Sequence, residues 1–305
     1  MSDRPTRIVV AVGDGDAEPL LRFAAGEALR SGSPLHLVHV LHMPPSGPES
    51  FVMAFEAARE IGTRLLSRHG ARARELVGGR LAVTTELLEH SNGTVGDILE
   101  LSSDARLVCL EHRQLHWLRR LASGSTTLGV AARSLVPVVS VPEGWDATQE
   151  ARGLVSVGVD DPVNSDPVLR AAFENAAERG ARLCVLHAWW LANGYDDVVV
   201  DNRMREDWSR RLEAAIEPAL DKLRVEFPQV AVELVVRHAP IALALTELSA
   251  ESDLLVLGRR HAHLPFGSHL GPVVRTLVRD SACPVIVVEP VDPPPLTRRD
   301  LATPE

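Results

Sequence analysis

The chain has 305 residues, 45% of them hydrophobic and 24% charged, the composition of a globular protein long enough for two domains. Its 32 basic and 41 acidic residues give a formal net charge of −9, which argues against a nucleic-acid binder that works by neutralising phosphates. No run of 18 apolar residues occurs, so no membrane-spanning segment is expected.

Met1 to Arg7 is polar and runs straight into an apolar strand, Arg7–Val12, so no signal peptide is expected. A helical pattern over Glu18–Ser31 follows and ends at Gly32, a residue type that C-terminal capping prefers. A second strand (Leu35–Val40), a long helix within Phe51–Val77 and a third strand (Leu81–Leu88) come next. A third helix, the strand at Leu107–Leu110, a fourth helix and the strand at Val136–Val141 complete the first half. Pro142–Arg152 has no periodicity and reads as a linker. The second half repeats the order. It has strands at Leu154–Val159, Leu183–Ala188, Ala231–Arg237, Leu254–Leu257 and Pro284–Val288, with helices at Asp166–Arg179 and within Arg203–Phe227. Near-continuous apolar strands alternating with helices mean a parallel sheet covered on both faces. Met43–Ser50 and Ala192–Asp201 read as longer surface loops, and Pro290–Glu305 as a disordered tail.

The two halves stay in register over 147 residues at three positions: Glu111 against Gly258, Gly124 against Gly271, and Pro137 against Pro284. That period is too long for a solenoid unit and fits a duplicated domain. The expected architecture is α/β: two tandem doubly wound domains, residues 1–145 and 152–290, each a five-stranded parallel sheet with helices on both faces, and a tail at 291–305. The fifth strands, Val138–Val141 and Val285–Val288, are β-branched runs at a sheet edge. They are expected to pair with each other about a pseudo-twofold axis, since an apolar edge is otherwise a liability. A further homodimer stays open.

At this point the residues resemble a known family, the universal stress proteins, over residues 7–142 and 153–290. Its nucleotide-binding members carry Gly, two residues, Gly, nine residues, then Gly followed by Ser or Thr, between strand four and helix four. They also carry an Asp at the end of strand one. In the second half those positions read Gly258, His261, Gly271 and Pro272, with Asp160 after Val157-Gly158-Val159. In the first they read Glu111, Gln114, Gly124 and Ser125, with Asp14 after Val12-Gly13. The resemblance implies an adenine nucleotide such as ATP, and the motif is broken in both halves.

Glycines in such a loop let the backbone approach phosphates, and the helix N-terminus beyond supplies N–H donors and a favourable dipole. Pro272 removes a hydroxyl and an N–H, two charge-assisted hydrogen bonds worth about 1.5–3 kcal/mol each. Gly271-Pro272 also reads simply as a good helix start. In the first half, a Glu111 carboxylate about 4 Å from a phosphate charge costs about 4 kcal/mol at an effective dielectric near 20. By resemblance, a nucleotide is expected in the second half, between its strands one and four. Asp160 would meet the ribose or base, Leu257, Gly258 and Arg260 would line the mouth, and Gly271 would let the helix backbone approach the phosphates. His261 and Pro272 keep that site weak, and Gly124 with Ser125 mark the poorer one. Arg259 and Arg260 in one loop, and Arg113, Arg119 and Arg120 in the other, are either anion partners or solvated surface.

No catalytic residue and no metal site is expected. His36 and His39 fall on opposite faces of a strand, His42 extends the same spacing, and His261, His263 and His269 lack a matching carboxylate or thiolate. Ser125 has no paired base and no GxSxG elbow. Asp160-Asp161 suits a ribose contact or a loop cap better than acid–base work. Cys109, Cys184 and Cys283 sit in apolar runs without a CxxC pair, as buried reduced thiols of a cytoplasmic protein do. The functional expectation, carried by the resemblance, is a cytoplasmic, non-catalytic stress-response or regulatory module. The alternatives are a nucleotide-free interaction scaffold and a slow nucleotide hydrolase.

Overall fold

The structure is a computed structural model that describes residues 7–41, 51–89, 93–112, 126–146, 148–161, 165–190, 202–259 and 270–289. Its first half runs β1 (Ile8–Ala11), α1 (Glu18–Ser31), β2 (Leu35–Val40), α2 (Phe51–Leu76), β3 (Val83–Leu88), α3 (Thr94–Leu101), β4 (Leu107–His112), α4 (Thr126–Arg133) and β5 (Val138–Pro142). The second half runs β6 (Leu154–Gly158), α5 (Asp166–Arg179), β7 (Arg182–Trp189), α6 (Asn202–Glu226), β8 (Val232–His238), α7 (Ile241–Ser249), β9 (Leu254–Gly258), α8 (Pro272–Asp280) and β10 (Val285–Val288). Local chemistry sets the helix ends. Gly32 and Gly180 close α1 and α5 with φ of 67° and 61°, left-handed values that cost glycine least, and return their N–H groups to carbonyls of the last turn.

The ten strands of the described residues form one sheet, in the order β3-β2-β1-β4-β5-β10-β9-β6-β7-β8. Every pair is parallel except the central one, where β5 and β10 run antiparallel with Val139 opposite Ile286. The fifth strands therefore pair as expected from the sequence. The apolar edge of each half is consumed by the other, so the strand direction reverses at mid-sheet.

The core has two layers. Leu20 and Ala24 of α1, Leu65 and Ala73 of α2, Leu169 and Phe173 of α5, and Ile216 and Leu220 of α6 pack together on one face. On the other, Ile98 of α3, Val130 of α4, Leu245 of α7 and Leu277 of α8 are buried. Corresponding helices thus share a face while their strands point in opposite directions, which puts the pseudo-twofold axis normal to the sheet between β5 and β10. The C-terminal ends of β1 and β4 consequently open at one edge of the sheet, and those of β6 and β9 at the opposite edge.

Polar contacts tie the halves together beside the central strands. The Glu27 carboxylate of α1 accepts from Arg30 and from Arg179 of α5, with Glu27 and Arg179 nearly buried. Arg106 reaches Glu178 at 2.7 Å. Part of the segment read as a linker is ordered packing: Trp145 stands edge-on to Phe23 with ring centroids 5.7 Å apart. The Asp253 carboxylate accepts the N–H groups of Arg152 and Leu154 where the second half begins. Among the described residues, no helix is long and apolar enough to cross a membrane.

Candidate functional site

In each half the helices after strands one and two lie on one face and those after strands three and four on the other. The chain therefore diverges at the C-terminal ends of β1 and β4, and again at β6 and β9. Such a topological switch point leaves a crevice where open α/β sheets hold ligands.

The chain just past strand one is held alike in both halves. The N–H of Val12 donates to the Val38 carbonyl at 2.9 Å, and that of Val159 to the Leu186 carbonyl at 3.0 Å. The carbonyls of Val12 and Val159 themselves each meet a buried histidine ring: His39 Nδ1 lies 2.9 Å from Val12 O, and His187 Nδ1 lies 2.9 Å from Val159 O. Since a carbonyl only accepts, Nδ1 carries the proton in both rings. These bonds fix the backbone ahead of Asp160, and ahead of Asp14, whose carboxylate sits 3.7 Å from His39 Nε2. Sequence reasoning weighed His39 only as a metal ligand and passed over His187. The signal was present, because the two histidines lie 148 residues apart, almost the repeat period.

In the second half, exposed Asp160 ends one wall of the crevice and Gly258 ends the other, with Gly158 opposite Leu257 on neighbouring parallel strands. Leu257 departs from its expected part. Its side chain is buried under α7 and α8, so only its backbone reaches the mouth. Gly258 lies in line with Val288 of β10, and a Cβ built on it would stand 3.5 Å from Val168 of α5, an ordinary contact. Gly271 caps α8 in an extended conformation, φ −64° and ψ 164°, with exposed Pro272 as the first helical residue. Gly271 therefore serves as a helix start of the kind proline favours. In the first half, Glu111 stands inside β4 and its carbonyl accepts the Thr127 hydroxyl of α4 at 3.0 Å. Gly124, Ser125, Gln114, Arg260 and His261 lie outside the described residues, as do Arg113, Arg119, Arg120, His42, His263, His269, both long loops and the tail.

Arg259 does something other than offer charge to an anion. Its side chain is 6% exposed, and Nη2 donates to the Ser134 carbonyl of the first half at 2.5 Å, with Glu289 at 3.4 Å. His36 is bound to Thr84 Oγ1 at 2.7 Å and Glu86 Oε2 at 3.0 Å, and burial together with Arg7 lowers its pKa. All three cysteines are buried and free. Burial raises their thiols, Cys184 to about 11 and Cys283 to about 12. Among the described residues, no group of three or more His, Cys, Asp or Glu side chains is placed to hold a metal ion.

The sequence model of the universal stress protein family matches residues 5–142 and again 154–289. The chain belongs to the universal stress protein family. A universal stress protein of Mycolicibacterium smegmatis is 25% identical over 93% of this chain and 97% of its own length. One from Mycobacterium tuberculosis is 27% identical over 96% of this chain and 99% of its own. The crystal structure of a universal stress protein from Archaeoglobus fulgidus superposes with a TM-score of 0.66 at 16% identity, covering 95% of this chain and 98% of that one. This universal stress protein is thus a tandem in which one chain supplies both halves of a continuous sheet, with a topological switch point in each half.

Proposed function

We propose that this tandem universal stress protein is a non-catalytic, cytoplasmic stress-response or regulatory module that binds an adenine nucleotide weakly in the crevice of its second half. The observation that carries the reading is that β6 and β9 are parallel neighbours at the switch point, with Asp160 two residues past the end of β6 and Gly258 the last residue of β9. A carboxylate there suits ribose or base hydroxyl and amino donors. The glycine leaves the opposite wall without a side chain, so phosphates can approach the backbone. Arg260, His261, Gly271 and Pro272 would lie along the phosphates. Pro272 at the first helical position leaves one fewer N–H there, which sets the affinity low. Gly124 and Ser125 would form the corresponding, poorer site behind Glu111.

At the switch points no described group pairs a nucleophile with a base, and the Thr84–His36–Glu86 contact lies at the other ends of β2 and β3, so binding rather than turnover is the activity the geometry there supports. Pro272 also favours a second reading, an interaction scaffold in which the crevices have lost their ligand. Calorimetric titration with ATP separates the two: saturable heat supports nucleotide binding, and none at millimolar ATP favours the scaffold. Phosphate release at saturating ATP at rates typical of enzymes, abolished by Asp160→Ala, would overturn the non-catalytic reading.

A further inference from the structure

Three of the chain's five tryptophans gather in one place. Trp189 ends β7, Trp190 follows it, and Trp208 stands in the second turn of α6. The Trp189 and Trp208 rings lie 5.3 Å apart between centroids, and His238 at the end of β8 lies 4.3 Å from Trp189 and 4.9 Å from Trp190, stacked on the latter at 24°. The cluster is part wall and part surface: Trp189 is 9% exposed, whereas Trp190 and Trp208 are each 41% exposed.

Two donors in it are unspent. The buried Trp189 Nε1 and the buried Nε of Arg205, one helical turn before Trp208, have no hydrogen-bond partner among the described residues. Buried N–H groups are normally satisfied, so such donors beside an exposed aromatic face point to a ligand that brings acceptors. The position links the cluster to the crevice. His187 grips the carbonyl just before Asp160, and Trp189 lies two residues further along the same strand face, about 7 Å on. Among the described residues the first half differs: by strand register Leu41 takes the place of Trp189 and Glu89 that of His238, and its aromatic pair is Phe51 and Phe55 at the start of α2, with centroids 6.3 Å apart.

We infer that Trp189, Trp190, Trp208 and His238 form a stacking wall for the purine ring of the nucleotide held at Asp160, with Trp189 Nε1 and Arg205 Nε donating to acceptor atoms of the ligand. This rests on the nucleotide reading above. Indole faces suit a heteroaromatic base, which is polarisable, flat and rich in acceptors. The wall supplies affinity that the broken phosphate loop does not, and it assigns binding to the second half on grounds independent of that loop.

The test is calorimetric titration of ATP into the full-length protein and into Trp208→Ala, Trp208→Phe and Trp189→Phe, with folding checked by circular dichroism and Tm. Trp208→Ala is expected to weaken ATP by about 5- to 100-fold and Trp208→Phe to restore most of it. Trp189→Phe, which keeps a ring and deletes the donor, should weaken ATP by about 5-fold or more. If Trp208→Ala unfolds, Trp190→Ala on its exposed ring takes its place. Wild-type affinity in all the folded tryptophan variants, with Gly258→Glu abolishing binding, overturns the stacking wall and leaves the crevice reading standing. No ATP binding by the wild-type protein overturns both.

Discussion

Arg259 donates to the carbonyl of Ser134, so a residue of the second half's strand-four end closes the last turn of a helix in the first. The guanidinium is buried, and desolvation lowers its pKa, with Glu289 opposing that shift. Its carbonyl and carboxylate partners both lie at the seam between the halves. Arg259→Ala should therefore destabilise the protein by about 1.5–3 kcal/mol, the worth of a charge-assisted hydrogen bond. ATP affinity should stay within about twofold of wild type. A large loss of affinity at unchanged stability would return Arg259 to the ligand side.

The opposite side of the seam carries a larger electrostatic stake. Glu27 and Arg179 are 9% and 10% exposed and come from different halves of the chain. Removing one member of a buried pair leaves the other uncompensated, although Arg30 remains beside Glu27. Arg179→Ala is expected to cost about 3 kcal/mol in urea unfolding, and Glu27→Leu combined with Arg179→Met to recover part of it. A double variant no more stable than Arg179→Ala would show that shape at the seam, rather than the unpaired charge, sets the loss.

His187 provides a sharper probe of the crevice. His187→Phe fills the same space but leaves the Val159 carbonyl without its donor, at a cost of about 1–3 kcal/mol. Because that carbonyl precedes Asp160, ATP affinity should fall as well, whereas His39→Phe should lower stability alone. Equal loss of ATP binding in both variants would argue against assignment to the second half.

The sequence made the sheet legible because its strands are short apolar runs punctuated by glycine, and because each half repeats the other. The ends of α1 and α5 could be read to the residue from Gly32 and Gly180. That β5 and β10 would pair followed from the need to cover two apolar edges, while the antiparallel direction does not follow from that need. Side-chain direction is harder to read. Leu257 points into the core because both faces of the sheet are covered, and Arg259 turns to the seam, where it meets the carbonyl of Ser134 just past α4. Neither fact is encoded in the loop that contains them. The tryptophan cluster was invisible for the same reason: Trp189, Trp208 and His238 come from three elements, and only the register of β7 with β8 and the crossing of α6 unite them.

His36 gives the fold a pH dependence of known sign. Its folded pKa lies below the ordinary 6.5, chiefly from burial, then from Arg7, with Glu86 opposing. The unfolded chain then binds more protons below that pH, so stability is full above about 6.5 and declines as the pH falls through it. His36→Gln should flatten the pH dependence of Tm in that window, read by thermal scans at several buffered pH values. An unchanged slope would place the acid sensitivity elsewhere.

The loop chemistry itself can be exchanged between halves. A Cβ at Gly258 meets Val168 at 3.5 Å, an ordinary contact, so the first carbon of a side chain is accommodated there. Gly258→Glu copies the residue at position 111 and places a carboxylate where phosphates would approach. At about 4 Å and an effective dielectric near 20, the repulsion is about 4 kcal/mol, enough to abolish a weak site while leaving Tm near wild type. Pro272→Ser acts in the other direction. Pro272 is exposed and already sits after a well-formed cap at Gly271, so serine there keeps the helix and adds a hydroxyl and an N–H. ATP should bind about tenfold or more tightly, since each regained charge-assisted hydrogen bond is worth about 1.5–3 kcal/mol. Ser125→Ala should leave both results unchanged. If Ser125→Ala removes binding and Gly258→Glu does not, the nucleotide belongs to the first half, and Glu111 must turn away from it.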